Sequence, residues 1–205
     1  TYSQRKFKNI VTSPITFAST ANAILHSGKK PLFCDIDAKD ANISPDALKL
    51  ILKNKNIGGV IPVHFAGNTC DMKTIKKICK KKNIFIIEDA AHALGSKYDC
   101  GSMVGSCKYS DITVFSMHPL KSITTGEGGM ITTNDFSIYR KLKALRSHGI
   151  EKTKDAVKPW LYSMNYLGFH YRITDFQCAL GISQLSKLET FIKRREEIAK
   201  RYILL

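Results

Sequence analysis

Two observations predict an α/β fold with a mainly parallel sheet. Short apolar, β-branched runs alternate along the chain with helical patterns, as βαβ units require. The early runs also end in polar residues: Asp35 and Asp37, His64, Glu88 with Asp89 and His92, then Ser116 and His118. In open α/β sheets ligands bind beyond the carboxyl ends of the strands, so this pattern points to one ligand site.

Each element has its own local reason. Asn9-Ile10-Val11-Thr12 reads as the first strand, and a helix over 19–27 follows, ended by Gly28 at C′. Pro31-Leu32-Phe33-Cys34-Asp35 is the second strand. Ser44, Pro45 and Asp46 then supply an N-cap, a proline at N1 and a first-turn acid for a helix over 45–53. Gly59-Val60-Ile61-Pro62-Val63-His64 comes next, with a helix over 72–82 behind it. Further strands are expected over 84–88, 111–115 and 129–133, before a helix opening near Asp135.

Past Gly149 the character changes. Residues 151–158 are charged and irregular, and Pro159-Trp160-Leu161-Tyr162 is aromatic. A helical block opens at Thr174, with Gln177 as its capping-box partner. Leu180, Leu185, Leu188, Phe191 and Ile192 then keep helical spacing.

Composition narrows the function. At 205 residues the chain has ample material for a core, and 43% hydrophobic content is ordinary for a globular protein. No apolar run reaches the roughly 18 residues of a membrane span, and the N-terminus carries no signal-peptide pattern. A cytoplasmic protein without a membrane partner is expected. Six scattered cysteines with no C-x-x-C pair support neither a zinc site nor a disulfide framework. The net charge, 32 − 17 = +15, raises nucleic acid as a partner. However, the lysines fall where amphipathic helices need solvated faces, as in 73–82, and no nucleic-acid motif accompanies them. No nucleic-acid partner is expected; a basic surface also steers anionic substrates.

The chemistry centres on Lys121, in Phe115-Ser116-Met117-His118-Pro119-Leu120-Lys121-Ser122-Ile123-Thr124-Thr125-Gly126-Glu127-Gly128-Gly129. Upstream, Asp89 closes the run Ile84-Phe85-Ile86-Ile87-Glu88. A strand-end acid followed by a lysine in a Ser- and Gly-rich turn suggests pyridoxal 5'-phosphate (PLP), where a lysine amine forms a Schiff base and a carboxylate faces the pyridinium nitrogen. His92 is placed to contact the ring, Ser116 to bind the phosphate, and Phe17 to stack on the ring. Plainer readings stand beside these. They are a surface lysine, a helix N-cap at Asp89, a structural histidine and a core aromatic.

The segments Pro14 to Asn22, Val63-His64-Phe65-Ala66-Gly67, Glu88-Asp89-Ala90-Ala91-His92-Ala93-Leu94-Gly95 and the Lys121 stretch together resemble the DegT/DnrJ/EryC1/StrS sugar aminotransferases. Arg146-Ser147-His148-Gly149, Tyr171-Arg172-Ile173-Thr174-Asp175 and Ala179-Leu180-Gly181 extend the likeness colinearly over nearly the whole chain. The resemblance implies a fold type I PLP domain, a homodimer with sites at the subunit boundary, and glutamate as amino donor. Within the family it points to transamination of UDP-4-keto-6-deoxy-N-acetylhexosamine, as in pseudaminic acid and related surface-glycan biosynthesis. It implies Lys121 as the Schiff-base lysine, Asp89 on the pyridine nitrogen, His92 near the ring oxygen, Ser116 on phosphate or substrate, and Phe17 on the ring.

Two departures from the family pattern stand out. His170 occupies the position of an asparagine that reaches the neighbouring subunit's phosphate; imidazole still offers a donor. The family's first segment, with a Gly-Thr turn on the phosphate, and most of its small domain have no counterpart here. The chain is therefore expected to be a piece of a longer protein, with 1–150 as an incomplete PLP-binding large domain. Residues 151–205 then form an interface segment and helices leading to a small domain. Family members that are sugar dehydratases carry histidine in place of the Schiff-base lysine, and Lys121 argues against that activity. A catalytically inactive or regulatory PLP-fold protein is the remaining alternative.

Overall fold

The computed structural model describes residues 7–53, 56–152 and 157–204. Expectations for residues 1–6, and for 153–156 in the charged stretch, lie outside the described residues. In chain order the elements are β1 (Asn9–Thr12), α1 (Ala18–His26), β2 (Lys30–Phe33), α2 (Pro45–Ile51) and β3 (Ile57–Ile61). After a 3-10 turn come α3 (Met72–Lys80), β4 (Phe85–Asp89), β5 (Ile112–Ser116), β6 (Gly129–Thr132) and α4 (Phe136–Leu145). The short strands β7 (Ile150–Lys152) and β8 (Tyr162–Met164) precede α5 (Asp175–Leu185) and α6 (Leu188–Ile203).

The main sheet runs β2-β1-β3-β4-β5-β6, and every pairing is parallel except β5 with β6. Strand β3 is buried along its whole length, as a central parallel strand covered on both faces should be. The chain leaves β1 toward β2 on one side and returns to β3 on the other. That reversal opens a crevice at the carboxyl ends of β1 and β3.

Local signals behave as their chemistry requires. Ser44 Oγ accepts from Ala47 N at the start of α2, and Pro45 occupies its first position. Gly28, at φ 71°, follows α1 in the left-handed conformation that glycine adopts without a Cβ clash. Thr174 and Gln177 close a reciprocal capping box on α5. In α3, Met72, Ile75 and Cys79 face the core while Lys73, Lys77 and Lys80 are exposed. That much of the positive charge is a solvated helix face.

Helices α2 and α3 share one core with the sheet, built around Val11, Leu48, Ile75, Cys79, Ile86 and Phe115. Ile24 of α1 is buried but lies outside this cluster. The sheet therefore separates α1 from α2 and α3.

Two elements differ from the sequence expectation. The helical pattern after Thr174 is interrupted at Ser186 and Lys187; Lys187, at φ −104° and ψ 0°, departs from helical geometry before α6 begins. The stretch read as irregular and aromatic contributes β7 and β8, a two-stranded antiparallel sheet with register Ile150↔Met164 to Lys152↔Tyr162. A three-residue strand is too short for its alternation to be read in sequence.

Candidate active site

Alternation along β4 puts the two neighbouring acids, Glu88 and Asp89, on opposite faces of the sheet. This corrects the expectation that all the strand-end polar groups serve one ligand.

Glu88 is fully buried on the α3 side. Its Oε2 accepts from His64 Nε2 at 2.8 Å and from Tyr98 Oη at 2.7 Å. Its Oε1 accepts from Thr113 Oγ1 at 3.1 Å and from Ser110 Oγ. His64 Nδ1 accepts the Cys70 N–H at 3.1 Å, so the imidazole proton sits on Nε2 and points at Glu88. Burial pushes the Glu88 carboxyl upward, but hydrogen bonds from His64, Ser110 and Tyr98 bring it net below its ordinary value. His64 and Glu88 are thus a satisfied structural network. Asp35 and Asp37 cap their own loop, bonding Ile36 N and Lys39 N. They follow the edge strand β2, three strand spacings or roughly 14 Å from β4.

Asp89 faces the other side. Its Oδ2 accepts from Thr20 Oγ1 of α1 at 2.7 Å, and its Oδ1 from Ala91 N at 3.1 Å. The 90–93 segment is a turn closed by Ala93 N to Ala90 O, so Asp89 caps a turn and not the helix considered from sequence. The register Asp89↔Val114 places Ser116, two residues on, on the same face. Strand geometry puts its Cα roughly 8 Å from that of Asp89. Ser116 Oγ accepts a long bond, 3.4 Å, from His118 N, and its own proton has no acceptor among the described residues.

Lys121 sits in the turn between β5 and β6. The turn is closed by Lys121 N to His118 O at 2.9 Å, Thr125 N to Met117 O and Met117 N to Gly128 O. Two helices far along the chain brace it. Arg195 of α6 donates to Lys121 O at 2.9 Å, and Gln177 of α5 donates to Glu127 O at 2.8 Å. The Lys121 ammonium makes no hydrogen bond or ion pair among the described residues.

His92 is coupled electrostatically to both. Partial burial and the positive charge of Lys121 push its imidazole below the ordinary value, with Asp89 acting in the opposite sense. Phe17 lies immediately before α1, one turn ahead of Thr20, and is 76% exposed. The core-aromatic reading of Phe17 is therefore wrong; its ring is free to meet a ligand.

His170 is not brought to this cluster; no contact joins it to Asp89, His92, Ser116 or Lys121 among the described residues. It pairs with Ser147 in an isolated antiparallel bridge, and its Nε2 accepts from Arg172 at 2.7 Å. Its ring lies edge-on to His148 at 5.3 Å. The crossing of the two strands here requires glycine: a Cβ on Gly149 would meet Tyr166 O at 1.8 Å, and one on Gly168 would meet Gly149 N at 2.0 Å. A separate concavity of about 710 Å³ lies beside α4 and β7, lined by Tyr139, Arg140, Lys143, Arg146 and Arg172 among others, and holds none of the site residues.

Sequence reasoning missed Thr16, Thr20 and Arg195, and read Gln177 only as a capping-box partner. The i, i+4 spacing of Thr16 and Thr20 before an apolar helix face was a weak available signal. Nothing local marks Arg195, whose partner is 74 residues away.

The residues gathered here fit PLP. They are an acid with both oxygens oriented by donors, a hydroxyl and a lysine amine whose protons have no acceptor among the described residues, and an exposed aromatic, all at or beyond the carboxyl ends of β1, β4 and β5. As a set they match what a lysine-bound PLP would require at the strand ends of an α/β sheet. The chain belongs to the DegT/DnrJ/EryC1/StrS aminotransferase family, whose model matches residues 4–204.

Among curated relatives, the UDP-4-amino-4,6-dideoxy-N-acetyl-beta-L-altrosamine transaminase of Campylobacter jejuni is 45% identical over 199 residues, covering 96% of this chain and 51% of the relative. Among solved structures, Helicobacter pylori PseC, an aminotransferase involved in the biosynthesis of pseudoaminic acid, superposes with TM-score 0.89 at 37% identity. The match covers 97% of this chain and 51% of that one. Spr1654 from Streptococcus pneumoniae, in its PLP form, gives TM-score 0.84 at 28% identity, over 98% of this chain and 54% of that one. The fold is that of the fold type I sugar aminotransferases. The chain spans about half the length of the relatives it matches.

Proposed function

We propose that the full-length protein is a PLP-dependent aminotransferase of nucleotide-linked keto sugars. The observation that carries this reading is the shared sheet face of Asp89 and Ser116, with Lys121 and His92 coupled beside them. The proposed substrate is a UDP-linked 4-keto-6-deoxy-N-acetylhexosamine, and L-glutamate is the amino donor. The glutamate nitrogen replaces the ketone oxygen at C4, and glutamate leaves as 2-oxoglutarate. The product would serve pseudaminic acid or related surface-glycan biosynthesis; support comes from the relatives' names and coverage, together with the basic surface.

Bound PLP supplies an electron sink for the carbanion formed when an amino acid loses its α-proton. The chain's own residues do the rest. Lys121 holds the cofactor covalently through its amine and afterwards carries protons. Asp89 presents an acceptor to the ring nitrogen and keeps it protonated. His92, its imidazole pushed below the ordinary value by burial and by Lys121, would offer a hydrogen bond to the ring oxygen, while Ser116 would donate to the phosphate or substrate and Phe17 would cover the ring. Residues 1–150 would form most of the cofactor domain and 151–205 the segment that meets a second subunit in a homodimer.

Asp89→Asn tests this directly. The amide keeps the Ala91 cap but cannot hold the ring nitrogen protonated. Glutamate-dependent release of 2-oxoglutarate should fall about 10²–10³-fold, the range for removing one preorganised electrostatic partner. A near-parental rate would show Asp89 to be a turn cap and nothing more.

The dimer reading makes its own prediction at His170. His170→Ala should weaken PLP affinity by about 1.5–3 kcal/mol, as loss of a hydrogen bond to a charged group does, and His170→Asn should recover most of it. In mixed dimers a Lys121→Ala subunit, which keeps its own His170, should restore the affinity of a His170→Ala partner. PLP titration of single and mixed dimers reads this out. Lower thermal stability with unchanged affinity would confine His170 to its contacts with Ser147 and Arg172.

A further inference from the structure

Thr20 is 6% exposed on α1, and its hydroxyl donates to Asp89 Oδ2 at 2.7 Å across 69 residues of sequence. Thr16 Oγ1 lies 2.8 Å from Thr20 Oγ1. A hydroxyl has a single proton, and that of Thr20 is committed to the carboxylate, so Thr16 must be the donor in the second bond. The chain therefore runs in one direction, from Thr16 through Thr20 to Asp89. On the other carboxylate oxygen, the Ala91 N–H donates at 3.1 Å. Each oxygen is pinned by a different element, which removes rotation about the terminal torsion of Asp89. Each also retains a lone pair for a ligand.

We infer that Thr20 and Thr16 are positioning residues for Asp89, and that through them α1 sets the angle at which the carboxylate meets a cationic heteroaromatic nitrogen. The inference rests on the assignment of Asp89 to the cofactor ring. A valine at position 20 has the same shape and would satisfy the packing between α1 and the sheet, so packing alone does not call for the hydroxyl. The polar groups that bond the Asp89 carboxylate come from two elements, Thr20 from α1 and Ala91 N from the turn after β4; His92 in that same turn is coupled through charge to Asp89 and to Lys121 of the turn after β5. Among the described residues, Thr20 and Ala91 alone bond the carboxylate directly.

The test uses the full-length protein in four variants: Thr20→Val, Thr20→Ser, Thr16→Val and Asp89→Asn. Thr20→Val should lower kcat for glutamate-driven amino transfer about ten- to hundredfold, with KM for both substrates within about twofold. PLP affinity, measured by titrating PLP into the apoprotein, should weaken about tenfold. Thr20→Ser should restore both, and Thr16→Val, at a partly exposed position that tolerates the change, should give a smaller loss of about three- to tenfold. The inference is overturned if Thr20→Val keeps parental kcat and PLP affinity while Asp89→Asn loses them. It is also overturned if Thr20→Ser fails as badly as Thr20→Val, since packing would then explain the loss. Should Thr20→Val not fold, Thr16→Val decides, and parental values there overturn the relay. If Asp89→Asn itself keeps parental values, the cofactor assignment of Asp89 falls and takes this inference with it.

Discussion

Replacing Lys121 with alanine in the full-length protein is expected to abolish covalent retention of PLP and amino transfer together. Its side chain alone supplies the amine in the turn after β5, and it also carries protons during turnover. Loss of the proton-transfer role by itself is worth about 10²–10⁴ in rate. The visible absorbance of bound PLP should disappear on dialysis of the variant and persist in the parent. The fold should survive, because the turn is held by backbone groups that alanine preserves: Lys121 N to His118 O, and Arg195 to Lys121 O. The expected change in stability is within about 0.5 kcal/mol, as for a partly exposed residue whose side chain bonds none of the described residues. Full transaminase turnover in the purified variant would rule out the proposed function.

The second large effect is on stability. Glu88→Ala removes the common acceptor of His64, Tyr98, Ser110 and Thr113 at a fully buried position. His64 Nε2 and Tyr98 Oη would lose their acceptor beside a new cavity, and Ser110 and Thr113 would keep only long contacts with each other and with Cys107 Sγ. The expected cost is about 3–5 kcal/mol, with a fall in Tm of roughly 10 °C. Glu88→Gln keeps the volume but turns an amide N–H₂ toward these donors, so it should lose a substantial part of the same stability.

The pH dependence has a definite sign. The folded state holds the Glu88 carboxyl below its ordinary value of 4.5, so the unfolded chain binds more protons there. The stabilisation is therefore fully present above the ordinary value and is lost as pH falls through the lowered folded one. Urea titrations at falling pH should show the parent losing this increment while Glu88→Gln, lacking the carboxylate, does not. Equal acid sensitivity in both would place the titrating group elsewhere.

Much of the fold was legible because its causes are local. Ser44, Gly28 and the Thr174–Gln177 pair act within four residues of the backbone groups they satisfy, so type and order of their elements follow from the chain alone. Helix α3 was legible for the same reason, its apolar residues recurring at helical spacing under a lysine face. The β7–β8 pair was not, since three-residue strands carry no usable period. Lys121, Asp89, His92, Ser116 and Phe17 were legible as candidates from their places after strands. What was wrong was the grouping of His64 and Glu88 with them.

By itself the sequence determined the βαβ alternation, the helix termini, the candidate lysine and acid, and the resemblance to a sugar-aminotransferase family. Only the tertiary structure showed why the adjacent acid, Glu88, is closed to a ligand while Asp89 is not. Glu88 is consumed by four buried donors, whereas Asp89 meets Thr20 on the opposite face. The physical reason is that a strand sends successive side chains to opposite faces. The strand order then chooses which distant segment waits on each: Thr20 lies 69 residues from Asp89, and Arg195 lies 74 from Lys121. No local pattern encodes those distances; they follow from the order β2-β1-β3-β4-β5-β6 and from the helices that pack back against it.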